Sequence, residues 1–195
     1  MERKDAIVLL KANLKNKNLV KHCIATEGAM EVFADKFGED RQRWAIAGLL
    51  HDLDYEFTKD DFLKHGIKTC EMLEKEGFED SEILEAIKMH TGNVEATTNM
   101  GKAIYAVDPA TGFITACVLM APHKNIFKLD MKFMLKRFKE KRFAAGASRE
   151  QMRTATENFD LTLEQFLNIV LDGMKGKHEE LGLGIPLTPF DKGES

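Results

Sequence analysis

An imidazole and a carboxylate stand side by side in His51-Asp52, at the end of the apolar stretch Trp44 to Leu53 (WAIAGLLHDL). Four more potential ligands surround that pair in chain order: His22 upstream, then His65, His90 and Asp108 downstream. Burying such a pair at the edge of a hydrophobic run is costly unless both groups are satisfied, and a divalent metal ion satisfies both at once. The chemistry this points to is that of a bound divalent metal ion.

Taken singly, each candidate has an ordinary structural account. A histidine on an apolar helical stripe commonly hydrogen-bonds a carbonyl in the core, and Asp108 before Pro109 is a routine helix start, with Asp at the N-cap and Pro at the first helical position. Jointly they say more. Four of the six histidines and two aspartates fall on inward faces of consecutive helices, whereas the solvated faces carry Lys and Glu. Helices in a bundle can converge such side chains on one point in the core.

The elements that position them follow from periodicity. Apolar residues recur at helical spacing almost throughout, and period-two alternation is hard to find, so the chain reads as all-α. The pattern predicts a helix from Leu19 to Phe37 stopped by Gly38, and a second one capped by Asp40 in which Trp44, Ala47, Gly48 and His51 share the buried face. Gly48 would permit close helix contact. A third helix is expected from about Lys59 to Glu76, with Phe62, His65, Thr69 and Met72 on one side. Ser81 opens a fourth, which carries Ile83, Ile87 and His90 to the Thr91-Gly92-Asn93 turn. A fifth runs from about Thr98 to a break at Pro109, followed by a separate apolar helix to Met120. Two last helices are expected over Arg149 to Phe159 and Leu161 to Lys175, before a tail read as a surface strap or partly disordered.

Between them the character changes. Lys124, Lys128, Lys132, Lys136, Arg137, Lys139, Lys141 and Arg142 interleave with Phe127, Phe133, Phe138 and Phe143. Cations attract phosphates and aromatic rings stack on bases, but the phenylalanines lie at helical spacings that would pack on a core and leave the lysines solvated. Nucleic acid is therefore not the expected partner, although some of these cations could rim a site and attract an anion.

Composition sets the remaining bounds. The length suits one sizeable core, divided here into residues 1–122 with an N-terminal helix and a basic helical extension, 123–195, packed on it. A net charge of −4 names no partner. The three cysteines, Cys23, Cys70 and Cys117, are widely spaced and suggest neither a disulfide framework nor a zinc ribbon, which fits a reducing cytoplasm. The N-terminal apolar run is too short for a signal peptide, and the stretch Ala103 to Pro122 is interrupted by Asp108, Pro109 and Gly112, so it reads as core and no membrane association is expected.

The order His22, His51-Asp52, Asp108, with His65 and His90 between, resembles the HD-domain superfamily of metal-dependent phosphohydrolases over about Leu19 to Met120. The two extra histidines and the His90-Thr91 turn are similar to its dinuclear members, among them the bacterial symmetrical diadenosine tetraphosphate hydrolases. The segment DPATG from Asp108 looks like a group of uncharacterised bacterial HD proteins. The resemblance implies an HD-domain helical bundle with additional C-terminal helices. It implies a first metal held by His22, His51, Asp52 and Asp108, with Asp52 bridging to a second at His65 and His90. Thiolate-free imidazole and carboxylate donors suit iron, manganese, cobalt or nickel, with zinc possible. With one ion only, His65 and His90 would hydrogen-bond the phosphate or protonate the leaving group. The expected substrate is a phosphorylated small molecule, a nucleotide in the first place.

One departure stands out. Many superfamily members follow the pair with Ile-Gly-Lys, and this chain has Leu53, Asp54 and Tyr55, so the phosphate-binding cation is missing. Asp54 is a candidate proton carrier beside Asp52, His65 and His90, or else a cap for the following loop. The amides around Gly92 and the side chain of Asn93 are candidate replacement phosphate donors. The missing lysine also keeps open a non-catalytic metal-binding module that docks a nucleic acid or protein, and a di-iron oxygenase is a further alternative.

Overall fold

A computed structural model describes residues 1–187, and among them the chain is all-α, with no strand. The helices are α1 (Arg3–Asn13), α2 (Lys17–Phe37), α3 (Arg41–Leu50), α4 (Tyr55–Thr58), α5 (Ile67–Lys75), α6 (Ser81–His90), α7 (Asn99–Met120), α8 (Met131–Lys139), α9 (Arg149–Asn158), α10 (Leu163–Gly176) and α11 (His178–Leu181). Most of the longer helices start at side chains that satisfy otherwise unpaired amides. Asn16, Asp40, Thr98 and Ser148 each accept from an amide in the first turn, and Thr162 forms a reciprocal capping box with Gln165. The start of α6 differs from expectation: Asp80, not Ser81, is the cap, accepting from Ile83 N while its carboxylate is gripped by Arg43 at 2.8 Å.

α2 and α7 are the spine. α3 and α10 pack along α2, while α6 and α9 pack along α7. Two of these contacts are backbone to backbone. A Cβ on Gly48 would lie 2.8 Å from Thr26 O, and one on Gly173 would lie 2.2 Å from Gly28 O, so α3 and α10 approach α2 more closely than any side chain allows. One apolar cluster runs through the bundle from Leu10 and Phe33 to Phe113, Met134 and Phe166.

Two helix predictions are corrected. The stretch expected to be helical from Lys59 to Glu76 follows the short α4 and is itself broken into a 3₁₀ turn at Phe62–Lys64 and α5. Gly66 has φ +77, and the Asp54 carboxylate draws off the amides of Gly66 and Thr69, so the chain turns there. His65 consequently sits on extended backbone before α5, not on a helix face.

In the other direction, α7 continues through Pro109 where a break was expected. A proline inside a helix costs about 3 kcal/mol, but burying Ile104, Val107, Phe113, Ile114 and Val118 contributes about 1.5–3 kcal/mol each, and that outweighs it. By length and composition α7 could cross a membrane, yet it forms the centre of the bundle.

The basic segment uses its aromatic rings internally. Phe138 is buried, Phe127, Phe133 and Phe143 pack against the core, and Arg137 and Arg149 lie over Phe133 and Phe113 at 4.9 and 4.7 Å. Residues 182–185 run as a strap against the 3₁₀ turn at Ile126–Lys128, where Ile126 N donates to Leu183 O at 2.8 Å and Asn125 Nδ2 to Ile185 O at 3.0 Å. The rest of the expected tail, 188–195, lies outside the described residues.

Candidate metal centre

Six side chains from five stretches of chain meet at one place. α2 brings His22, the turn after α3 brings His51 and Asp52, the residue before Gly66 brings His65, the last turn of α6 brings His90, and the middle of α7 brings Asp108. Asp52 is central: its Oδ1 lies 3.1 Å from His65 Nε2, 3.4 Å from His90 Nε2 and 3.4 Å from His51 Nε2, and its Oδ2 lies 3.6 Å from His22 Nε2. Asp108 Oδ1 is 2.8 Å from His22 Nε2 and 3.6 Å from His51 Nε2. Two triads have donor atoms mutually within 4.8 Å, His22–His51–Asp108 and His51–Asp52–His90.

The orientation of the rings decides what these atoms can do. His51 Nδ1 donates to Gly48 O at 2.8 Å, His90 Nδ1 donates to Ile87 O, and His65 Nδ1 donates to Asp54 Oδ1 at 2.7 Å. At His22, Nδ1 donates to Thr111 Oγ1 at 3.1 Å, because the Thr111 hydroxyl gives its own hydrogen to Asp108 O at 2.9 Å. All four imidazoles thus spend Nδ1–H on the protein and aim Nε2 inward. His51 and His22 face each other Nε2 to Nε2 at 3.3 Å, and His90 and His65 at 3.1 Å. Opposed lone pairs at such distances repel unless a cation lies between them. The donor set therefore fits a divalent metal, with neutral imidazoles of fixed tautomer and two carboxylates.

Protons compete for the same place. Burial works against an imidazolium at His51, but Asp52 and Asp108 outweigh it and raise the ring to about 9. Burial is likewise outweighed at His65, raised to about 9 by Asp52 and Asp54. Burial of Asp52 is overcome by the rings of His51, His65 and His90, which hold it well below the usual carboxylate range, and Asp108 is held low against its burial by His22 and His51.

Asp54 is placed one layer back. It is fully buried, and its two oxygens are occupied by His65 Nδ1 and by the amides of Gly66 and Thr69 at 2.9 and 3.0 Å. Its place is that of a residue that orients His65, not of one facing the cavity. Gly92 and Asn93 are not free phosphate donors: the Gly92 amide donates to Met89 O, the Asn93 amide to Thr91 Oγ1, and Asn93 Nδ2 to Phe62 O.

Five of the six ligand side chains, all but the fully buried His51, line a cavity of about 630 Å³. Tyr55 and Phe62 contribute one part of its wall, and Gly146, Ala147 and Gln151 contribute a second. That second part is shaped by Arg149, whose guanidinium donates to Phe143 O, Ala144 O and Ala147 O and holds Ala144 at φ 44, a conformation uncommon for a residue with a side chain. Sequence reasoning missed both parts. Thr111 was also missed, although its i+3 spacing from Asp108 places it on the ligand face of α7.

Residues 19–110 match the family model described as HD domain. The match supports membership of the HD superfamily for the stretch that contains all six converging side chains. No curated protein and no solved structure is significantly similar to the chain. The wall around Gly146 lies beyond the matched HD segment, so the ligands come from the HD segment and part of the cavity from outside it.

Proposed function

We propose that this protein is a metal-dependent phosphohydrolase acting on a phosphate ester or anhydride of a small molecule, with a nucleotide as the expected substrate. The observation that carries the reading is the convergence of four tautomer-fixed Nε2 atoms and two carboxylates, with five of these six side chains lining one cavity. The HD match adds to it, since that superfamily is one of metal-dependent phosphohydrolases.

His22, His51, Asp52 and Asp108 would hold one ion, and Asp52, His65 and His90 a second. Such ions, when bound, lower the pKa of a water towards about 7 and polarise a phosphoryl oxygen. The charge count favours two. Among the described residues no Lys or Arg lines this cavity, one divalent ion would only neutralise Asp52 and Asp108, and a second leaves positive charge to attract a phosphate. The protein's own part is to fix each ring through Nδ1, to keep Asp52 between the two histidine pairs, and to line the cavity. Tyr55 and Phe62, partly exposed at its wall, offer apolar surface to a nucleobase.

The test is to measure the metal content of the purified protein and assay a nucleotide panel for phosphate release, with His51→Ala and Asp52→Ala as controls. Metal-dependent release, abolished in both variants and retained without oxygen, is expected. Unchanged turnover in both variants would remove the proposed catalyst, oxygen-dependent turnover would favour an oxygenase, and metal binding without any turnover would favour a docking module.

A further inference from the structure

Behind His22 lies a second cavity of about 420 Å³, which shares His22 and Gly112 with the metal cavity. We infer that the two form one substrate cleft, in which Lys21 receives a second phosphoryl group of a substrate whose first is held at the metal centre. The inference rests on the phosphohydrolase reading and specifies its substrate class: organic phosphates that carry two phosphoryl groups.

Three observations carry it. Lys21, which precedes His22 on α2, lines the second cavity with the polar side chains of Asn18 and Thr115, its Nζ beside Gly182. No carboxylate lines that cavity among the described residues, in contrast to the metal cavity, where Asp52 and Asp108 are exposed to the lumen and no Lys or Arg is. The second space thus supplies the cation that the first lacks, and an ammonium next to a charged oxygen makes a strong, charge-assisted hydrogen bond.

The third observation concerns Gly112. It lies inside α7, four residues after Asp108 and so on the same face, at the junction of both cavities. A glycine in a helix interior costs up to about 1 kcal/mol relative to alanine. At Gly28, Gly48 and Gly173 close backbone contact explains the missing Cβ, with neighbouring backbone atoms at 2.5, 2.8 and 2.2 Å from where it would stand. A Cβ at Gly112 would meet nothing within 4 Å. Gly112 is exposed and no packing contact requires a glycine there; because it lines both cavities, a side chain at this position would stand where they meet.

The proposal is tested by calorimetry on the manganese-loaded protein with propylphosphonate and propane-1,3-bisphosphonate, whose C–P bonds prevent turnover. The bisphosphonate is expected to bind about tenfold more tightly, the effect of one added charge-assisted contact. That preference should fall to about one in Lys21→Ala and in Gly112→Leu, at unchanged manganese stoichiometry, and persist in Lys21→Arg. Equal affinities in the unaltered protein, or a preference that survives Lys21→Ala, would overturn the cleft while leaving the phosphohydrolase reading intact. Failure of either phosphonate to bind the manganese-loaded protein would overturn both.

Discussion

Asp54 Oδ1 accepts the Nδ1 hydrogen of His65 at 2.7 Å, and the same carboxylate's other oxygen takes two backbone amides at the start of α5. One side chain therefore sets both the tautomer of a metal-facing histidine and the turn that delivers it. Asp54→Asn puts an amide NH₂ against either those amides or the ring N–H. Metal affinity should fall about 10- to 100-fold at the His65 side, and stability by about 1–3 kcal/mol. Metal titration separates the two effects: a drop in melting temperature with unaltered affinity for both ions would deny Asp54 its orienting part.

Proton competition gives a pH prediction. With His51 and His65 raised to about 9, both rings hold protons at neutral pH that a metal must displace. Metal affinity should rise steadily from pH 6.5 to about 9 and level off above it. For the metal-free protein the sign is opposite. Folded-state values above the ordinary histidine value contribute stability that is complete below about 6.5 and is lost as pH rises through about 9. Thermal melts of metal-free and loaded protein across that range should therefore diverge with increasing pH, and parallel curves would contradict the assignment.

Gly48→Ala places a methyl 2.8 Å from Thr26 O and 3.0 Å from Glu27 Cα, both backbone atoms that cannot swing away. α2 and α3 must separate, and with them His22 and His51. A loss of about 1–3 kcal/mol is expected, together with weakened metal binding, read by denaturant unfolding and metal titration.

Asp80→Ala removes a helix cap and one of the two carboxylate partners of Arg43 at once, leaving Glu82. The cap alone is worth about 1–2 kcal/mol, and the partly exposed ion pair adds little. Because α6 ends at His90, hydrogen exchange should increase along α6, while the metal site keeps its stoichiometry at 25 °C.

Gly146→Val tests the second part of the wall. A Cβ there meets nothing within 4 Å, so the substitution changes cavity space and not packing. KM for a nucleotide should rise with kcat and metal content little altered; an unchanged KM would take this wall out of substrate contact.

The fold class, the inward placement of His51 and His90 and the close contact at Gly48 were legible because each is written in local spacing: helical periodicity places the two rings inward, and a glycine amid apolar residues marks where helices touch. The turn at His65 was not, because it depends on Asp54 reaching amides 12 and 15 residues further on. Pro109 misled for a related reason, since its local penalty is overridden by the burial of an entire helix. Gly146, Ala147 and Gln151 carry no chemical signature, and only the packing of α9 on α7 brings them to the cavity.

The wall around Gly146 hangs from Arg149, a single guanidinium that ties three carbonyls of one loop. The ion-facing atoms and this part of the cavity lining thereby lie in separate portions of the polypeptide. On the proposed reading, the loop could be rewritten, lengthened or shortened without touching an ion-binding atom, so that selectivity could drift while the chemistry stays put.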